Sequence, residues 1–176
     1  MPFRASVLTL IGVLSVAAPA AAGDAKCLWD HLPGSVRGAF LLAGLKDDPP
    51  SPMDHFTSAQ IGVALAACKV SDAGLTNAGH AFAGYTGQLV AERRLAILAS
   101  VYPEQLDAAW ASVDPAWIDG LAKEVQGGPD QGMGLKVWHA LVDRLRPSAS
   151  DASVLRLELV GYMSSRATRQ VSEGLY

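Results

Sequence analysis

Two short windows of the chain place a carboxylate directly before an imidazole: Trp29-Asp30-His31-Leu32 and Met53-Asp54-His55-Phe56. Histidine is the commonest transition-metal ligand, and a nearby carboxylate orients it or adds an oxygen donor. If the two windows meet in space, Asp30, His31, Asp54 and His55 together suit a divalent metal. One Asp-His pair would otherwise serve as a general base. The competing reading is local, with each Asp capping the helix after it and each His beside it at the surface. Neither H-E-x-x-H nor C-x-x-C occurs, so no spacing specifies a metal by itself. No motif calls for any other cofactor.

Glu92 is the third catalytic candidate after His31 and His55. It continues an apolar seam through Tyr85 and Leu89, where the helical step wants an apolar side chain. It either escapes to solvent or is buried and paired, for instance by an arginine, and buried carboxylates concentrate at active sites. Glu158 poses the same question. His80 sits among small residues, and His139 lies between Lys136 and Asp143, opposite the Trp138 stripe. The chain holds no G-x-S-x-G, S-x-x-K or G-x-x-x-x-G-K, which leaves a nucleophile elbow and a phosphate loop without support. Of the four tryptophans, Trp110 and Trp138 lie on apolar stripes, and Trp117 is the one expected at the surface.

The elements that must position these groups are helices. Residues 57–69 carry their own start signal: Thr57 caps the first turn and Gln60, three residues on, returns a bond to the cap. Ile61, Ala64, Leu65 and Cys68 then make one apolar face. That face ends in one of only two cysteines. In an exported chain the pair Cys27 and Cys68 predicts one disulfide, drawing the N-terminal arm onto this helix. Closing a loop of that length is worth about 3–4 kcal/mol through chain entropy.

Residues 34–45 read as a short helix burying Val36, Phe40 and Leu41, and three prolines make 46–52 a loop. Residues 71–102 hold one long helix or two in series. Leu75, Ala78, Phe82, Tyr85 and Leu89 form its seam, and a wide apolar face through Val90, Leu95, Ile97, Leu98 and Val101 predicts a central position. Gly79, Gly84 and Gly87 mark either close packing or a break. Pro103 opens the next helix, and Asp114-Pro115 repeats the device with an N-cap before a first-turn proline. Stripes through Leu106, Ala109, Trp110 and Val113, through Ile118, Leu121, Ala122 and Val125, and through Trp138, Leu141, Val142 and Leu145 follow. A last helix faces Leu155, Leu159, Tyr162 and Met163 inward. Strand alternation and Asn-Gly or Asp-Gly hairpin turns are lacking. The expected fold is all-α: one bundle of six to eight short-to-medium helices, stapled by one disulfide.

Residues 1–22 read as a cleavable leader, with Arg4, an apolar run from Val7 to Ala18, Pro19 and then Ala20-Ala21-Ala22. The expected mature part is a single helical domain over 23–176. Asp24-Ala25-Lys26 before Cys27 does not suit lipidation, and no later stretch is apolar for the length of a membrane span, about 20 residues. The net charge of −3, one unit more acidic without Arg4, argues against nucleic acid.

Phe56-Thr57-Ser58-Ala59-Gln60 resembles the Leu-Thr-x-x-Gln signature of small, all-helical periplasmic stress chaperones. The likeness covers five residues, departs at the first and occurs once, whereas the signature normally occurs twice. Thr-x-x-Gln is also what any capping box demands, so the family is not assigned. Two functional readings follow. One is an exported, periplasmic or secreted, non-catalytic module that binds a protein or small-molecule ligand in a groove between helices. The alternative is a small metal-dependent or Asp-His-assisted hydrolase.

Overall fold

The computed structural model describes residues 24–46, 51–145 and 152–174. The leader, most of the 46–52 loop and the start signal of the last helix lie outside these ranges. Eight helices of six residues or more and no strand occur among the described residues. They are α1 (Ala25–Asp30), α2 (Gly34–Ala43), α4 (Ser58–Ala67), α5 (Leu75–Ala99), α6 (Pro103–Trp110), α7 (Pro115–Val125), α8 (Met133–Leu145) and α9 (Ala152–Glu173). A single helical turn, α3 (Pro52–His55), precedes α4.

Start signals written in the sequence are used as written. Gln60 N–H donates to Thr57 Oγ1 (3.3 Å), and Thr57 N–H donates to Gln60 Oε1 (3.0 Å), closing the capping box of α4. Pro103 and Pro115 each open a helix, and Asp114 accepts from Ala116 N–H (2.9 Å). One cap is not local. The Glu124 carboxylate, near the end of α7, accepts from the backbone N–H groups of Gln131, Met133 and Gly134, at 2.7, 2.9 and 3.0 Å. It thereby covers the N-terminus of α8. Burial works against its charge, but the three N–H donors outweigh that and hold the carboxyl below its usual range.

The molecule is organised on the antiparallel pair α5 and α9, its most extensive helix contact. α5 is one unbroken helix, starting at Leu75 rather than residue 71 and ending at Ala99, where Ser100 turns left-handed. Gly84 and Gly87 are contact points and not a break. A Cβ on Gly84 would lie 2.7 Å from the backbone N of Arg169 and from the backbone O of Ser165, and one on Gly87 2.5 Å from Ser165 Oγ. Small residues let the two backbones approach this closely.

Two apolar clusters hang on the two halves of α5. The N-terminal one gathers Leu28, Trp29, Leu32, Phe40, Phe56 and Phe82 around edge-to-face ring contacts. The C-terminal one joins Leu95, Leu106, Trp110, Leu141, Leu159 and Tyr162, bringing together the stripes of α6, α8 and α9. The wide apolar face expected at the end of α5 is narrower than its composition suggests. Leu95 and Val101 are buried, but Ile97 is 60% exposed and Leu98 also faces solvent. An α-helix contacting partners on one side leaves the flank of a broad apolar arc uncovered.

Candidate functional site

Cys27 and Cys68 form a disulfide, with Cα atoms 6.0 Å apart. It joins α1 to the residue that closes α4, so the N-terminal arm is fixed where the cysteine count predicts. α4 stops there through backbone bonds from Lys69 to Ala66 (3.2 Å) and from Val70 to Leu65 (3.1 Å), with Lys69 left-handed at φ 55°. His31 caps the C-terminus of α1, one turn beyond Cys27. Its Nδ1 lies 3.7 Å from each sulfur and 2.9 Å from the carbonyl oxygen of Cys27.

The other three residues of the two Asp-His windows lie apart from that point. Asp30 pairs with Lys26 and, at 3.5 Å, with Arg37. The hydrogen bond from Lys26 holds its carboxyl below the usual range. Asp30 does not cap α2, which begins after Pro33 with no side-chain cap. His55 stacks edge-on against Phe40 and Phe56, with ring centres 5.4 Å away in both cases, and Asp54 is exposed. Among the described residues, the cluster of three His, Cys, Asp or Glu side chains close enough to share an ion is Cys27, His31 and Cys68. Asp30, Asp54 and His55 are not in it.

Above the disulfide, α1, α4 and α5 leave a pocket of about 210 Å³ between them. Leu28 closes one side, Ile61, Ala64 and Leu65 a second, and Ala78, Gly79 and Phe82 the third, with Leu75 at the margin. Every lining residue is apolar. The α4 face that the helical spacing marks for the core is thus only partly sealed, with Ala64 buried and Ile61 and Leu65 half-buried. α4 packs chiefly against α1 and faces α5 across this gap. A Cβ on Gly79 would meet nothing within 4 Å, so the glycine widens the pocket.

No protein-family model, no curated protein and no solved structure matches the chain.

Glu92 lies in a polar seam along α5 and α9, half-buried. Its Oε1 accepts from Gln88 Nε2 (2.7 Å), so an amide and not an arginine is its direct partner. Burial pushes its carboxyl above the usual range, Asp107 adds to this, and Gln88, Arg166 and Arg169 oppose it. Arg169 donates to Glu173 (3.1 Å) and Gln88 (3.4 Å) and lies over the Tyr85 ring at 4.7 Å. Arg166 bonds Asp107 and the Tyr162 hydroxyl. Glu158 is paired in a nearly buried ion pair with Arg94 at 2.8 Å. Arg94 also donates to the carbonyls of Gly44 (3.3 Å) and Lys46 (2.6 Å), tying the end of α2 to α5 and α9. These arginines bind the two long helices to each other and to α2.

His80 and His139 are exposed, and His139 rests against Trp138. Trp117, expected outside, is half-buried with Lys136 over its ring at 6.0 Å. Sequence reasoning missed the pocket and the place of His31. The pocket's signal is present in retrospect, since Gly79 stands where the Ala78–Phe82 seam of α5 faces α4. The place of His31 needed one further step: a residue four after Cys27 shares its helix face and follows that cysteine to its partner.

Proposed function

We propose that the chain is an exported, non-catalytic binding protein whose pocket between α1, α4 and α5 holds a small apolar molecule. The observation that carries this reading is a pocket of about 210 Å³, lined by apolar residues and opening to solvent past Leu75 and Gly79, at the edge of the N-terminal cluster. Helical cores normally close such gaps, because each missing contact lowers stability. An apolar cavity of about 150 Å³ accepts benzene. The space here suits a single ring bearing a short alkyl chain, or an alkyl chain of comparable bulk. With no polar group in the lining, recognition is by shape and by removal of apolar surface from water.

Export is supported by two features of the sequence. The leader pattern over residues 1–22 directs the chain out of the cytosol, and a cysteine pair at bonding distance suits an oxidising compartment. Among the described residues, no helix is long and apolar enough to cross a membrane.

Propylbenzene is a suitable probe. Calorimetric titration of the wild-type protein is expected to give one site per chain, with a rise in Tm that grows with ligand concentration. Gly79→Leu adds a side chain to the pocket wall at a position where a Cβ meets no atom within 4 Å, and is expected to abolish both effects while the protein stays folded. An equal Tm rise in wild type and Gly79→Leu would place binding elsewhere and end this reading.

A further inference from the structure

We propose that Cys27, Cys68 and His31 become a zinc site when the disulfide is reduced, so that bridge and metal are alternative staples between α1 and α4. The geometry rests on two distances. His31 Nδ1 is already 3.7 Å from both sulfurs. In a tetrahedral site with ordinary zinc–sulfur and zinc–nitrogen bonds, that separation is about 3.6 Å. The His31 ring must turn its Nδ1 from the Cys27 carbonyl toward the sulfurs. The sulfurs must part to about 3.8 Å, which opening the covalent bond brings about. Their Cα atoms, 6.0 Å apart, allow it by side-chain rotation alone.

The surroundings favour a cation. Both cysteine-bearing helices present their C-terminal ends here, since His31 closes α1 and Cys68 closes α4. Helix C-termini carry partial negative charge. Two thiolates and an imidazole are a donor set suited to zinc, and the exposed side of His31 leaves a fourth position for water. In the disulfide form, the hydrogen on Nδ1 is donated to the Cys27 carbonyl (2.9 Å). Binding zinc requires the other tautomer, with the hydrogen on Nε2 and that one bond given up.

The chemistry balances with a dithiol as reductant. A thiol–disulfide reductase or small dithiol transfers two electrons and two protons to the Cys27–Cys68 bond and becomes a disulfide itself. The two thiols then lose their protons as zinc binds, and two protons enter solution. None of Cys27, His31 and Cys68 lines the apolar pocket.

The test is zinc binding by the full chain, oxidised and reduced, in competition with a chromogenic chelator. The reduced protein is expected to take up one zinc ion per chain and the oxidised protein none. His31→Ala is expected to weaken binding at least tenfold, and His55→Ala to leave it unchanged. Cobalt in place of zinc should show the absorption of a tetrahedral thiolate site in the reduced wild type. Should reduction unfold the chain, zinc is expected to restore helical circular dichroism in the wild type and not in His31→Ala. Uptake by the oxidised form, equal affinity in His31→Ala, loss in His55→Ala or no uptake after reduction would each overturn the proposal.

Discussion

Glu92 shows what a single side chain contributes. Its carboxylate is half-buried on α5, receives one amide hydrogen bond from Gln88, and has Arg166 and Arg169 nearby but committed to other partners. Burial raises its proton affinity above that of the unfolded chain. The folded state therefore binds a proton more readily than the unfolded state. Stability contributed by this group is fully present below the unfolded carboxyl value and declines as pH rises through the higher folded one. Replacing it with the neutral isostere removes that decline. Glu92→Gln is expected to raise the denaturant midpoint at pH 7 and to leave it unchanged near pH 4, where Glu92 is already protonated. Equal midpoints at pH 7 would show that the seam compensates the charge fully. At this scale the sequence was informative in part. It singled out Glu92 because the residue interrupts an apolar seam, but its burial, and the commitment of Arg169 to Glu173 and Gln88, depend on how α9 lies against α5. The same limit applied to His31, whose neighbours are set by a disulfide and not by its own window.

The starts of α4, α6 and α7 were legible because their causes are local. Thr57 with Gln60, Pro103, and Asp114 with Pro115 each satisfy or remove a backbone donor within one turn, so no tertiary information is needed. The glycines of α5 were not legible in this way, since a glycine reads alike whether it breaks a helix or admits a neighbour. The structure separates three of them. Gly84 and Gly87 face the backbone and side chain of α9, while Gly79 faces the open pocket. Opposite outcomes follow from the same substitution. Gly79→Ala gains helix propensity with nothing to displace and is expected to stabilise by up to about 1 kcal/mol. Gly84→Ala gains the same propensity but drives a methyl group into the backbone of Arg169 and Ser165. Overpacking of this kind costs about 1–3 kcal/mol, so the net change is destabilising. Thermal unfolding of the two variants checks the sign of each. A stabilised Gly84→Ala would mean that α5 and α9 can part cheaply, against the close approach seen here.

Across the whole molecule, α5 is shared and its two halves belong to different clusters. The C-terminal half shares one apolar cluster with α6, α7, α8 and α9. The N-terminal half shares a cluster with α1 and α2 and meets the end of α9 at Gly84, with α4 reaching it mainly through α1 and the disulfide. The expected all-α bundle and its bridge are both present, because apolar periodicity sets helix faces and a cysteine pair leaves one intramolecular partner. The unsealed face of α4 was not foreseen, since periodicity says which side turns inward and nothing about how completely it is filled. The arrangement predicts uneven cooperativity. Reducing the bridge restores chain entropy to the unfolded state, worth about 3–4 kcal/mol for a loop of this length. In α1 and α4 it also removes a direct tether. Amide exchange after reduction is therefore expected to accelerate most in α4, next in α1, and least in α6 and α8, whose contacts lie in the other cluster. Uniform acceleration from α1 to α9 would instead mean that both clusters open as one unit, with the bridge acting on the unfolded chain alone. A large excess in α4 would show that the wall of the pocket is hinged on the disulfide, so that reduction widens the ligand site before the bundle itself gives way.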